Sequence, residues 1–181
     1  MLLAVDIGNS RTKFGLFDGE TLLTNFSIPT LKNAARDDIR LSVAGNIAHP
    51  ITRAIICSVV PEIDAEFSEF ISDEFGVRGV FVTNELDLGL KINYQPRSAA
   101  GTDRLVNAFA AAEKYGVPCI VCSFGPAVTI DFVNEKSELV GGLIAPGMQT
   151  MAKALHLNAS RLPEVTIDRP DSVLQISTEG S

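Results

Sequence analysis

Near the start of the chain, Asp6-Ile7-Gly8-Asn9-Ser10-Arg11-Thr12-Lys13 gathers the residue types that handle phosphate. A carboxylate at the end of a strand can hold a hydrated magnesium ion, which favours one or two carboxylates together with water and phosphate oxygens. Gly8 lets the backbone approach a phosphate closely. Asn9, Ser10 and Thr12 offer donors, and Lys13 brings a mobile positive charge back across the loop. The same residues also make an ordinary hairpin, with Asp and Asn there for turn chemistry. The segment is not a P-loop, which requires GxxxxGK[ST] before a helix.

A second candidate is Gly101-Thr102-Asp103-Arg104, at the start of the clearest helical pattern in the chain. An acid in a first turn is favoured by the helix dipole and needs no further role. The functional alternative makes Asp103 a base that takes a proton from a substrate hydroxyl, with Arg104 fixing a phosphate or carboxylate. Spacing alone leaves both readings open. Cys119-x-x-Cys122 has no second pair nearby and lies in an apolar strand pattern, so it reads as two buried thiols and not a zinc site. His49 and His156 have no ligand-spaced partners and read as solvent-facing or cap-like.

The elements that must position these residues follow from periodicity. Leu2 to Asp6 is a short apolar strand. Arg11 to Phe17 is a second, with Phe14, Leu16 and partly Thr12 on one face. Asp18-Gly19 signals a hairpin into a third strand carrying Leu22, Leu23, Phe26 and Ile28. Residues 31–48 read as one or two helices, with Leu31, Ala34, Ala35 and Ile39 in register. Ala54 to Val60 is a continuous apolar strand stopped by Pro61, which also suits the first turn of a helix from Glu62 to Phe75. Ile63, Phe67, Phe70 and Ile71 share its inner face, and its acids read as a solvated face. Val80 to Val82 is a short strand, and Leu88 to Ile92 alternates. The helix from Gly101 to Tyr115 has the stripe Leu105, Val106, Phe109, Ala112. Cys119–Cys122 and Ala127–Val133 read as buried strands, Leu139–Ile144 as another, and a last helix runs from Pro146-Gly147 to about Leu157. Two halves emerge, each a strand, a glycine-containing loop and a returning strand.

Composition narrows the class. The chain has 181 residues, 46% hydrophobic and 20% charged, with a formal net charge of -7. That supports a folded core and argues against disorder. Scattered basic residues in an acidic chain argue against nucleic-acid binding. No run is long enough to cross a bilayer and no signal peptide is visible. Three cysteines fit a reducing cytoplasm, so the expected location is cytoplasmic.

Three segments, Asp6 to Lys13, Gly101-Thr102-Asp103-Arg104-Leu105-Val106-Asn107-Ala108 and Gly141-Gly142-Leu143-Ile144-Ala145-Pro146-Gly147, together resemble the type III pantothenate kinases, with Ser58-Val59-Val60-Pro61 as a weaker fourth match. They stand in that family's order and at about its spacing. The resemblance implies an α/β fold of actin-like (ribonuclease H-like) duplicated domains, with mixed sheets flanked by helices and the second domain incomplete. The expected division is 1–115 and 116–181. It also implies a homodimer that phosphorylates pantothenate with Mg-ATP, the first step of coenzyme A synthesis. By the same resemblance Asp6, Gly8, Asn9, Ser10 and Lys13 hold ATP phosphates, with Asp6 on magnesium through water. Asp103 is the general base, and Tyr94, Gly101, Thr102, Arg104 and Thr178 hold pantothenate. Gly125 and Pro126 fall in the second phosphate loop.

That second loop departs from the family pattern Asp-x-Gly-Thr-Ala-x-Thr, reading Ser123-Phe124-Gly125-Pro126-Ala127-Val128-Thr129. Ser123 stands where a carboxylate would hold a monovalent cation, K+ or NH4+, and Pro126 supplies neither an N–H nor a hydroxyl. The alternative expectation is therefore a catalytically impaired family member with a regulatory or binding role. Family chains are also longer. A second domain without its final helices would expose apolar sheet surface.

Overall fold

The computed structural model describes residues 1–169, 172, 174 and 176–178. Its first sheet is led by β1 (Leu2–Ile7), β2 (Arg11–Asp18) and β3 (Thr21–Pro29), joined antiparallel in sequence. Gly19, at φ 59°, takes the left-handed position in the turn expected at Asp18-Gly19. β4 (Arg53–Ser58) and β5 (Gly79–Phe81) add parallel on the other side of β1, giving the order β3-β2-β1-β4-β5.

Period-two alternation sorts these strands into two faces. Leu3, Val5 and Ile7 of β1, Phe14 and Leu16 of β2, and Ala54 and Ile56 of β4 are buried in one core. Against them lie Ile39 and Val43 of α1 (Arg36–Val43) and Phe67, Phe70 and Ile71 of α2 (Asp64–Phe75). The opposite face carries Ala4, Asp6, Lys13, Gly15, Ile55 and Cys57, in register as Asp6↔Lys13, Asp6↔Cys57, Ala4↔Gly15 and Ala4↔Ile55. This second face is the floor of the site.

The second sheet has the order β6-β9-β8-β7, built from β6 (Lys91–Ile92), β7 (Cys119–Phe124), β8 (Ala127–Val133) and β9 (Glu138–Pro146). α3 (Thr102–Tyr115) covers one of its faces, burying Leu105 and Ala108 with Val133 and Leu139. α4 (Met148–Asn158) follows β9. Each sheet packs its own core. Leu90, Ala100 and α3 belong to the second core, so the change of core falls between Phe81 and Leu88. α3 also touches β4, and Thr102 Oγ1 donates to the Ser58 carbonyl at 2.8 Å, which ties the second core to the first.

Four expectations are corrected. Leu31 is not in a helix and stands 60% exposed. α1 starts at Arg36 because the Asp38 carboxylate accepts the Ala35 N–H at 3.1 Å and closes the first turn there. The alternation from Leu88 pairs only at Lys91 and Ile92, since Gly89 breaks it at φ 75°. β7 and β8 are not buried on both sides: Ile120 is 67%, Phe124 77% and Leu143 of β9 68% exposed, because among the described residues α3 alone covers this sheet. For the same reason Cys122 is exposed and Cys119 half-buried. His49 and His156 are exposed as expected.

Candidate active site

A cleft of about 1020 Å³ opens between the floor of the first sheet, the first turns of α3 and the tip of the β7–β8 hairpin. Asp6, Gly8, Asn9, Ser10 and Lys13 line one side, and Asp103, Ser123, Gly125 and Pro126 line the other. Two segments about a hundred residues apart in sequence thus meet at one space. The β1–β2 loop is held at both ends: Gly8 N–H donates to the Arg11 carbonyl at 3.2 Å, and Thr30 N–H to the Ser10 carbonyl at 3.0 Å. A Cβ on Gly8 would come within 3.1 Å of that Arg11 oxygen, so the turn is close-packed there.

Asp6 is half-exposed, and its carboxylate pairs with Lys13 Nζ at 3.0 Å. An exposed pair of this kind contributes at most about 1 kcal/mol to stability. Lys13 is therefore free to turn to an anion, and Asp6 to a cation, without unfolding the hairpin. Arg11 is occupied elsewhere, with Nε and Nη2 on Ser27. One half-exposed carboxylate suits magnesium, which keeps several waters and takes phosphate oxygens. Among the described residues no three or more His, Cys, Asp or Glu form a protein-only cage. Beneath this pair Cys57 is buried, and burial pushes its thiol up to about 11. The neighbouring Thr102 hydroxyl pulls the other way, and the nearby Asp6 and Asp103 push it further up.

Asp103 sits in the first turn of α3, where its Oδ1 accepts the Arg104 N–H at 2.8 Å. Gly101 makes room for it, since a Cβ there would lie 2.6 Å from Asp103 Oδ1. Arg104 points into the second core. Its Nε reaches both Asp131 oxygens at 3.1 Å, Nη2 reaches Oδ1 at 2.5 Å, and Nη1 donates to the Tyr94 hydroxyl at 2.8 Å. Asp131 holds the Arg104 guanidinium above its ordinary range against the opposing effect of burial. Tyr94 also lies under the guanidinium, 5.0 Å from ring centre to carbon.

Of the residues expected to hold an acceptor, Tyr94, Gly101, Thr102 and Arg104 cluster at the start of α3 but are not part of the cleft's lining. Thr178 is exposed and is not part of that lining either. Asp131 was not singled out from the sequence. Its signal was there: a carboxylate in the middle of the strand Thr129-Ile130-Asp131-Phe132-Val133, where Asp is ordinarily depleted.

The second hairpin does not fit a carboxylate-based monovalent cation site. Ser123 Oγ receives Asn107 Nδ2 at 3.3 Å, and no acid lies between Ser123 and Thr129. The Pro126 carbonyl already accepts Gly147 N–H at 2.8 Å and Thr150 Oγ1 at 2.7 Å, while Gly125 N–H is spent on the Ala127 carbonyl. The N-terminus of α4 faces this tip, and its partial positive charge opposes a cation.

Two mixed sheets flanked by helices, each containing a strand–loop–strand hairpin and meeting at one cleft, define an actin-like α/β protein. A Baf-family transcriptional activator structure from Campylobacter jejuni shares this fold, with a TM-score of 0.56 at 20% identity over 98% of this chain and 70% of that one. The family model of type III pantothenate kinase matches residues 2–181. The type III pantothenate kinase of Geobacter sulfurreducens is 36% identical over 187 residues, covering 100% of this chain and 73% of that protein. That of Agathobacter rectalis is 36% identical over 180 residues, covering 96% and 69%. The chain belongs to the type III pantothenate kinase family. Among the described residues no helix is long and apolar enough to cross a membrane.

Proposed function

We propose that this chain phosphorylates pantothenate with ATP, opening coenzyme A synthesis, with Asp103 as the base. The observation that carries the reading is the meeting of the Asp6–Lys13 hairpin and Asp103 at one cleft in a chain of this family. Phosphoryl transfer asks mainly for positioning and charge neutralisation, so one acid, one mobile cation and a close-packed loop suffice. Mg-ATP, when bound, supplies the phosphoryl group and neutralises its charge. Asp6 would hold the hydrated magnesium, Gly8, Asn9 and Ser10 would line the phosphates, and Lys13 would leave its exposed pair with Asp6 to meet a phosphate oxygen. Gly125 and Pro126 would close the cleft from the second hairpin. Asp103 would take the proton from the acceptor hydroxyl. Tyr94, Gly101, Thr102, Arg104 and Thr178 would hold the acceptor, in a cytoplasmic homodimer.

No monovalent cation is assigned to the second hairpin, because Ser123 and Pro126 offer it no charge. The test is ATP- and pantothenate-dependent product formation by the purified chain, with potassium varied. Asp103→Asn should lower turnover by about 10²- to 10⁴-fold, the range for a general base. Lys13→Ala should cost about 10- to 100-fold, as expected when a charge-assisted hydrogen bond is removed. Turnover should be unchanged when potassium is replaced by choline. Activity that persists in Asp103→Asn would remove the base. No turnover from a folded sample would favour the second reading, a family member with a binding or regulatory role, for which the missing donor at Pro126 is the specific observation.

A further inference from the structure

We propose that Asp131 is a positioning residue of the acceptor site, fixing Arg104 in the single orientation from which it sets acceptor affinity. The inference rests on the reading that the acceptor binds at the start of α3. A guanidinium has five N–H donors in a rigid fork. Here Nε and one Nη2 donor go to Asp131 and one Nη1 donor goes to Tyr94, which leaves two N–H groups without a partner among the described residues. With side chains 7% and 2% exposed, neither Arg104 nor Asp131 is held by solvent. Their geometry comes from each other and from Tyr94.

The room for this arrangement is specific. A Cβ on Gly142 of β9 would lie 2.5 Å from Asp131 Oδ1 and 2.8 Å from Arg104 Nη2, and would run into the Ile130 carbonyl. The pair is thus seated where β9 has no side chain. Stability alone is a poor reason for it. Removing two charges from water offsets most of their attraction, and an apolar pair would fill the same core at least as well. A buried Arg–Asp pair supplies a fixed direction, one residue from Asp103 and at the helix end that Thr102 ties to the first sheet.

The experiment is steady-state kinetics and thermal melting on the wild type, Arg104→Gln, Asp131→Asn and the double variant. Asp131→Asn should raise the pantothenate KM by about 10- to 100-fold, the range for removing a charge-assisted hydrogen bond. The ATP KM should stay within about twofold, since the ATP loop shares no partner with this pair. The double variant should be no worse than Arg104→Gln, because Asp131 acts only through Arg104. A wild-type pantothenate KM in folded Asp131→Asn would overturn the proposal. So would equal rises in both KM values, or a double variant equal to the product of the singles.

If Asp131→Asn fails to fold, the double variant carries no unpaired buried charge, and Tyr94→Phe leaves the ion pair intact. Tyr94→Phe should raise the pantothenate KM by about 2- to 10-fold for one neutral hydrogen bond. No change in either would overturn the proposal. Should the wild type turn nothing over, the melting shift caused by pantothenate reads the same comparison: present in the wild type and absent in Asp131→Asn. A wild type without turnover or shift would overturn the acceptor site and this proposal with it, whereas turnover with an inert Asp131 would overturn the proposal alone.

Discussion

Cys57 illustrates how a single residue reports the site around it. It faces the cleft from β4, opposite Asp6 in register, and its thiol is pushed up to about 11 by burial and by Asp6 and Asp103. An unfolded cysteine titrates near about 8.5. Between those values the unfolded chain gives up a proton that the folded chain keeps, so stability is complete below about 8.5 and falls as pH rises towards 11. Urea unfolding at pH 7.5 and 10 should show the wild type losing up to about 2 kcal/mol more than Cys57→Ala. Equal losses would mean that the thiol is not held protonated. Cys122, exposed on β7, should react with a thiol reagent at pH 8 while Cys57 waits for denaturant. Sequence reading singled out Asp6, Lys13 and Asp103, which lie in recognisable motifs and line one cleft. It missed Asp131 because its partner Arg104 is 27 residues away in sequence and paired only by the packing of α3 on β8.

At the scale of elements, the strands and helices were legible wherever apolar spacing and a stop signal agreed. β2, β8, α3 and α4 lie within two residues of their expected bounds, because Gly19, Gly116 and Gly147 punctuate them. Burial was not legible, since Ile120 or Leu143 has the same type whether or not a helix covers it. The expected helix around Leu31 failed for a local reason, the cap that Asp38 makes three residues beyond Ala35. Gly142 tests how tightly elements are seated. Its Cβ would meet Ile130 backbone as well as the Arg104–Asp131 pair, and backbone cannot step aside as a flexible side chain can. Gly142→Ala should destabilise by about 1–3 kcal/mol, the cost of overpacking. In a chain of this size that lowers Tm by about 2–4 °C per kcal/mol, readable by thermal melting. A wild-type Tm would show that β9 can shift away from β8 at little cost.

For the whole molecule the question is how two unequal cores share one cleft. Among the described residues the first core gathers three strands and two helices, while the second has Leu90, Ala100, Leu105, Ala108, Val133 and Leu139. β7 is an edge strand, and the face bearing Ile120 and Phe124 is open. Local opening should therefore cost least in the second sheet. Hydrogen exchange of the free chain should be slowest in β1 and β4, central strands over the larger core, and faster in β7, an edge strand of the second sheet. Mg-ATP tests whether both hairpins work on one ligand. If they do, protection should rise together in the β1–β2 loop and at Gly125 to Thr129, with β3 and α1 unchanged. Protection confined to the first hairpin would mean that Pro126 has taken the second out of nucleotide binding, leaving Asp6 and Lys13 to hold the phosphates alone.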